Sequence, residues 1–416
     1  MILRLIIASL MARALTVGMT ILAIALSVAL FLGVEQVRSG AKNSFANTIS
    51  GTDLIVGARS GSVQLLLYSV FRIGNATNNI TWESYEDVAA RPEVEWIVPI
   101  SLGDSHQQFR VMGTTQGFFD HFKYRRDRSL EMAAGHRFDD LFNAVIGANV
   151  AQMLDYTVGD PIVVSHGFAS FIDHEDQPFR ISGVLAKTGT PVDRTVIVSM
   201  EAIEAIHVDW QSGVPIPGQT TPEAQIRALD LTPKAITAAL IGVESPIRTF
   251  TLQRAINEYA QEPLLAILPG VALQELWGIV GVAETALLAV SKLVVVTALI
   301  GMMAMLLSTL GERRREMAVF RAVGAGPMMI VGLMVLEAAL ITTIATIAGI
   351  GLLFAGLAIA QPIVDQQFGL WLPMNALSWY EIRMAVLVVT AGAISSLLPA
   401  AMAYRMSVAD GLIAKT

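Results

Sequence analysis

The chain has 416 residues, of which 54% are hydrophobic and only 15% charged; an ordinary soluble domain has about 45–50% and about 25%. A mean hydropathy of +0.57 requires lipid as the solvent for part of the chain. The net charge of −7 offers no basic field for nucleic acid, and 16 prolines with 33 glycines exclude a fibrous or disordered chain. The lack of cysteine excludes a disulfide scaffold, a thiolate metal site and a cysteine nucleophile, and leaves the compartment open.

Residues 1–13, carrying Arg4 and Arg13, read as an amphipathic cytoplasmic segment. The 21 uncharged residues between Arg13 and Glu35 can cross a hydrocarbon core of about 30 Å as a helix, giving a first span at 14–37. A cleaved signal peptide is the rival reading, but the apolar run is too long and no A-x-A-like site follows in VEQVRSGAKN. Residues 38–277 return to the composition of a water-soluble α/β domain. Within it, 51–71 reads as a strand and helix of the core, or else as an apolar surface beside the membrane. The stretch TWESYEDVAARPEVEWIVPI predicts a helix capped by Thr81, with Glu83 and Ser84 in its first turn, stopped at Pro92 and followed by a strand from Val94 to Ile97. AVIGANVAQMLDYTVGDPIVVSH predicts strand, helix, a turn at Gly159-Asp160-Pro161, and strand. FRISGVLA and RTVIVSM are two further strands joined by the turn KTGTPVD. The three prolines and two glycines of 212–222 mark a loop or a subdomain boundary.

From Gln274 to Leu310 there is no proline. A stalk and second span at 278–310 are therefore expected to form one long lever-like helix, with Glu284 and Lys292 in its outer part. The third span, 327–360, is interrupted in charge only by Glu337. A short outer loop, 361–381, contains Asp365, and a fourth span at 382–403 precedes a tail, 404–416. Basic residues collect on the cytoplasmic side of a membrane. The three flanks that hold Arg4, Arg13, Arg313, Arg314, Arg315, Arg321, Arg405 and Lys415 carry only Glu312, Glu316 and Asp410 against them, a net +5 that leaves −12 for the rest. Both termini and the 311–326 loop are thus expected in the cytoplasm, with the large domain outside.

The segment GERRREMAVFRAVGAGPMM is the most specific in the chain. In 311–326 a short helix with Met317, Phe320 and Val323 on one stripe and arginines beside it suits a partner's groove or an anionic lipid surface. Gly324 or Gly326 would end that helix, and Pro327 suits the first turn of the next. The segment resembles the MacB-like and FtsX-like permeases of ABC transporters, which place an E-R-R-R-E-hydrophobic-x-hydrophobic-x-R-A-hydrophobic-G-A stretch between their second and third spans. The matching positions are Glu312, Arg313, Arg314, Arg315, Glu316, Arg321, Ala322, Gly324 and Ala325. EVEWIVP, AVIGANVAQML with VGDPI, and FRISGVL with VIVSM are similar to the family's periplasmic core. LLPAAMAYRMSVADGL is similar to its closing pattern, departing at Ser407, where the family has an acid-proline pair.

The resemblance implies an integral membrane protein of four transmembrane helices with a large extracytoplasmic α/β domain between helices 1 and 2. It also implies ATPase coupling through Glu312, Arg313, Arg314, Arg315, Glu316, Met317, Phe320, Arg321 and Gly324. No G-x-x-x-x-G-K-[ST] loop occurs in the sequence, so ATP and Mg belong to a partner ATPase. Further expected partners are a second permease copy or a paralogue, a periplasmic binding or adaptor protein, and the bilayer of the bacterial inner membrane. The implied function is mechanotransmission that exports or extracts an amphiphile, peptide or lipoprotein. Alternatives are a transmitter that activates a periplasmic enzyme and a component of zinc or metal-chelate transport.

Other signals are weaker. Glu337 is the acid inside a core span and hence a functional candidate, or a hydrogen-bonded packing residue. Small residues at Gly349, Gly351, Gly356, Ala391, Gly392, Ala393, Ser395 and Ser396 permit close helix approach. All six histidines, His106, His121, His136, His166, His174 and His207, fall in the outer domain. His166 opposite His174, Glu175 and Asp176, beside Asp173, is a candidate zinc site, with a solvated loop as the alternative. The basic run Lys123, Arg125, Arg126 and Arg128 and the sequons at Asn75 and Asn79 read as solvated loop residues. No Ser/His/Asp arrangement or H-E-x-x-H is present, so catalysis in this chain is not expected.

Overall fold

A computed structural model describes residues 6, 9–125, 127–167, 174, 176–211, 214–215, 221–322, 324–368 and 376–405. Arg4, Arg126, Asp173, Glu175, Val323, Ser407, Asp410, Lys415 and most of the 212–222 loop lie outside the described residues. The chain divides into two units: residues 1–40, 281–361 and 373–416 in one, and 41–280 with 362–372 in the other. The first long helix, α1, spans Ala14–Ala46 and carries the first apolar run.

In the second unit, a strand β1 (Leu54–Ala58) leads to helix α2 (Ser62–Ser69). The apolar 51–71 segment is therefore core, because Ile55, Leu65, Leu66 and Phe71 pack into one cluster. Helix α3 (Trp82–Ala89) starts as the sequence predicts, with the Thr81 hydroxyl accepting from the Ser84 N–H. Strand β2 runs from Val94 to His106, far past the expected end at Ile97, because it pairs with Ala238–Val243 over Val94–Ile100 and with Phe109–Thr114 over Ile100–His106. Then come β3 (Phe109–Thr114), β4 (Met132–Gly135), β5 (Asn143–Ile146), helix α4 (Ala148–Leu154) and the two-residue β6 (Pro161–Ile162). Strands β7 (Phe179–Leu185) and β8 (Thr195–Ser199), helix α5 (Met200–Ile206), β9 (Ala238–Val243), helix α6 (Thr249–Asn257) and β10 (Leu264–Ile267) complete the domain.

These strands form one ten-stranded sheet in the order β10-β1-β9-β2-β3-β8-β5-β7-β4, with β6 beside β7. The β3/β8 and β5/β7 pairs are parallel and the other pairs antiparallel. Side chains alternate across a strand, and here both alternating sets are apolar. Ile55, Met112, Val145, Ile197 and Leu240 fill one face. Their neighbours fill the other in two clusters, one around Val111, Ile146 and Val198 and one around Leu54, Val56 and Ile241. A sheet covered on both faces explains why FRISGVL and TVIVS read as continuous apolar runs.

The remaining helices carry the other apolar runs. Helix α7 runs unbroken from Pro269 to Ala322, 54 residues, starting before the expected Gln274. It also continues through the segment expected to be a separate short coupling helix. The physical reason is composition: Glu312 to Ala318 are all strong helix formers, and the stop comes only at Gly324, in the left-handed region at φ 98°. Helix α8 (Pro327–Phe368) contains Pro362 and so extends by two turns into the stretch expected to be an outer loop. Asp365 sits on this extension, accepting from Lys187 Nζ at 2.6 Å, while its backbone oxygen accepts from Asn149 Nδ2 at 2.9 Å. Helix α9 (Trp379–Ser395) opens with a capping box of Ser378 and Glu381, and α10 (Leu397–Arg405) follows.

Among the described residues, four stretches are long and apolar enough to cross a membrane: Ala14–Ala46, Pro269–Leu310, Met328–Gln367 and Trp379–Ala403. Val28, Phe31, Met302, Leu306, Ile341, Ala345 and Val388 form their common core. The expected small residues divide in two. A Cβ on Gly349 would lie 2.7 Å from the Ala25 carbonyl oxygen, and one on Gly392 would lie 2.2 Å from Thr342 Cγ2, whereas Gly351 and Gly356 face open space. Leu15, Leu22, Ile300, Ile347 and Val386 remain exposed, as side chains in contact with hydrocarbon do.

One buried acid fixes the turn between β7 and β8. Asp193 accepts from the Thr188 N–H (2.8 Å), the Thr188 hydroxyl (2.7 Å) and the Gly189 N–H (2.7 Å). Burial nonetheless raises its pKa. Asp193→Ala strands those donors, and is expected to lower domain stability by roughly 3 kcal/mol, measurable by denaturant unfolding of the purified chain.

Candidate functional site

The sheet brings four polar side chains together at one end of β2. A register shift between Leu102 and Ser105 in the β2/β3 pairing re-aims the strand there, and Asp104 points into the domain with only 3% of its surface exposed. A bridge between Ser105 and Ser165 carries His166 alongside. The His174 N–H donates to the Val164 carbonyl at 2.8 Å, which returns the chain to the same place. Helix α5, capped by the Ser199 hydroxyl, ends at His207. The chain then turns back through a Trp210 N–H to His207 carbonyl bond of 3.0 Å.

One donor atom from each of Asp104, His166, His174 and His207 lies within 4.8 Å of the others. His166 Nδ1 is 3.0 Å from His207 Nε2 and 3.3 Å from Asp104 Oδ1, and His207 Nε2 is 3.7 Å from the same oxygen. His207 Nδ1–H donates to the Ile203 carbonyl at 2.7 Å, so its Nε2 presents a lone pair to the group. The buried His174 Nε2 has no hydrogen-bond partner, and the buried Asp104 Oδ1 is approached only at poor angles by the two ring nitrogens. Burial, with His207 beside it, lowers the His174 pKa to about 4, while the hydrogen bond to Asp104 raises that of His166. Trp210 covers all three imidazoles, at centroid distances of 4.8, 4.4 and 5.5 Å from His166, His174 and His207.

The structure thus unites His166 and His174, as the sequence suggests, but with different companions. Asp176 is exposed and outside the group, because the chain turns away after His174; Glu175 is outside the described residues. Asp104, His207 and Trp210 are the members that sequence reasoning misses. They lie far apart in the chain and only the sheet brings them together. Of the other histidines, His106 donates its Nδ1–H to the Val163 carbonyl (2.6 Å) and pairs through Nε2 with Tyr156 Oη (3.1 Å), His121 stacks on Trp96, and His136 is exposed.

A second feature is a cavity of about 490 Å³ lined by Tyr68, Arg72, Asn75, Asn79, Leu102 and Arg110. Both sequon asparagines therefore face a basic hollow. Arg72, at φ 60°, donates to the Ser69 carbonyl, and burial with Arg110 nearby lowers its pKa to about 9. Of the expected basic run, Lys123 and Arg128 lie on two short paired strands, with Lys123 paired to Asp127 at 2.6 Å.

In the helical unit, Glu337 is buried, and Arg13 Nη2 approaches its Oε1 to 3.2 Å. This ion pair joins α1 to α8. Arg38 bridges Glu35 (2.6 Å) and Glu284 (3.8 Å), joining α1 to α7. The backbone of Glu312, Arg313, Arg314, Arg315, Glu316, Met317, Phe320 and Arg321 forms the last turns of α7, and Gly324 follows its end.

Four membrane-length helices, a mixed α/β domain inserted between the first two, and a basic helix end between the second and third define a membrane permease. Residues 17–243, more than half of the chain, match the family model of the MacB-like periplasmic core domain. Residues 288–408 match that of the FtsX-like permease C-terminal domain. The chain belongs to the family of MacB-like ABC transporter permeases. No curated protein matches it. Among solved structures, the periplasmic region of MacB from Actinobacillus actinomycetemcomitans is similar at 10% identity, over 55% of this chain and 94% of that one, with a TM-score of 0.34. The extracellular domain of the noncanonic ABC-type transporter YknZ from Gram-positive bacteria is similar at 13% identity, over 52% and 99%, with a TM-score of 0.31.

The Arg13–Glu337 pair predicts an asymmetric response to mutation. Removing one partner of a buried pair costs about 3–5 kcal/mol, whereas replacing both with apolar groups is often neutral. Glu337→Ala is expected to lower the thermal midpoint in detergent well below that of the Arg13→Met/Glu337→Leu double variant.

Proposed function

We propose that the chain is the permease subunit of an inner-membrane ABC transporter that works by mechanotransmission. The observation that carries this reading is α7. It is one helix of 54 residues, about 80 Å long at 1.5 Å per residue, starting directly after the last strand of the α/β domain and ending in the ERRREMAVFRA sequence. A displacement applied at Arg313–Arg321 is carried along such a helix without a flexible joint. On this reading both termini and the 311–326 segment are cytoplasmic, as the basic flanks favour, and the α/β domain is periplasmic.

Glu312, Arg313, Arg314, Arg315, Glu316, Met317, Phe320 and Arg321, with Gly324 as the stop, dock on a separate ATPase that binds ATP and Mg. A second permease copy or a paralogue pairs with this chain, and a periplasmic binding or adaptor protein meets the outer domain. Motion of that domain exports or extracts an amphiphile, peptide or lipoprotein. The Arg13–Glu337 pair supports a packing role for Glu337 rather than ion translocation.

A pull-down of the native chain in detergent, read by mass spectrometry, is expected to recover an ABC ATPase. Phe320→Asp is expected to lose it while Glu337→Gln retains it. Failure of the native chain to recover any ABC ATPase would overturn the reading.

A further inference from the structure

We infer that Asp104, His166, His174 and His207 bind one divalent ion of the zinc class, in a site reached from solvent. Three observations carry the inference, and none depends on the permease reading. The first is geometry. Zinc bonds of about 2.0–2.1 Å to nitrogen and oxygen set the edge of a ligand tetrahedron at about 3.3 Å. The contacts between His166 Nδ1, His207 Nε2 and Asp104 Oδ1, at 3.0, 3.3 and 3.7 Å, straddle that edge, and the fourth donor needs only to close in from within 4.8 Å.

The second observation is the unmet bonding capacity. Asp104 and His174 are 3% and 5% exposed, yet His174 Nε2 has no hydrogen-bond partner and Asp104 Oδ1 meets only poorly aligned ring nitrogens at 3.3 and 3.7 Å. Leaving buried polar atoms unsatisfied is costly, and a cation between them satisfies both. Two ring nitrogens facing each other at 3.0 Å, His166 Nδ1 and His207 Nε2, are likewise arranged to share a cation. The third observation is orientation. His207 is anchored through Nδ1 to the Ile203 carbonyl at 2.7 Å, the outer-shell arrangement that turns an imidazole nitrogen toward a metal.

Three imidazoles and one carboxylate select zinc and its neighbours over magnesium or calcium, which prefer all-oxygen shells. The ion ties together the end of β2, His166, His174 and the end of α5. His166 and His207 keep 36% and 24% of their side-chain surface exposed, so the ion can exchange with solvent. The site is a reversible one within a domain that already has its own core.

The test uses the full-length chain with an affinity tag other than polyhistidine, purified in detergent, stripped with chelator and titrated with Co²⁺ and then Zn²⁺. One Co²⁺ per chain is expected, with the strong visible absorption of a tetrahedral centre, bleached by Zn²⁺ and unchanged by Mg²⁺ or Ca²⁺. Asp104→Asn, His174→Gln and His207→Gln should each weaken Zn²⁺ binding by at least the about 10–100-fold that outer-shell changes cost, with circular dichroism confirming the fold. Phe320→Asp, which tests ATPase docking, should leave metal binding intact. The inference is overturned if the native chain takes up neither ion at molar excess, if Co²⁺ gives only the weak octahedral spectrum, or if a His166/His174/His207 triple alanine variant binds as the native chain does.

Discussion

In hydrocarbon, no water is available to hydrogen-bond a free peptide group, so the backbone must satisfy itself within each segment. That constraint organises this protein. It makes each of the four apolar runs a helix, and it keeps proline out of the interior of α1 and α7. The same continuity that lipid imposes on the middle of α7 persists beyond the apolar stretch at both ends. Before it, the helix starts at Pro269, two residues after β10; after it, the helix runs into the arginine-rich segment and stops at a glycine. A structure selected by the solvent thereby extends past that solvent at both ends.

The α/β domain answers a different constraint. Its sheet is apolar on both faces, so polar side chains at strand ends and in connections hold most of the chemistry. The Asp104 carboxylate lies at the far end of the longest strand, where the register shifts, and the three imidazoles come from a bridge segment, a return strand edge and a helix end. Trp210 covers them from the side. The site is a by-product of topology, assembled where connections cross, and it therefore samples residues with no common sequence neighbourhood.

That difference decides what the sequence reveals. Periodicity and capping are local, so the four spans, the Thr81 cap of α3, and the strands at Phe179–Leu185 and Thr195–Ser199 are legible from a few neighbouring residues. The failures are non-local. Strand β2 outruns Ile97 because its partners β9 and β3 extend the ladder, which no property of the single strand announces. The coupling segment reads as a separate helix because its composition changes from apolar to basic at Glu312, yet a change of solvent does not require a break in hydrogen bonding. Helix α8 passes Ala360 because Lys187 and Asn149, nearly two hundred residues earlier, hold Asp365. Of the metal quartet, His166 and His174 attract notice as a nearby pair, while Asp104 and His207 carry no signal of their own.

Pro362 gives α8 a property that α7 lacks. A proline within a helix has no N–H for the carbonyl four residues back, here that of Ala358, and its ring crowds that turn. It also falls at the boundary between the two units, one ending at Gln361 and the other resuming at Pro362. Bending is therefore cheapest at that point along α8. Of the three long helices with residues in both units, α8 alone has a proline in its interior, so it yields before α1 and α7 do.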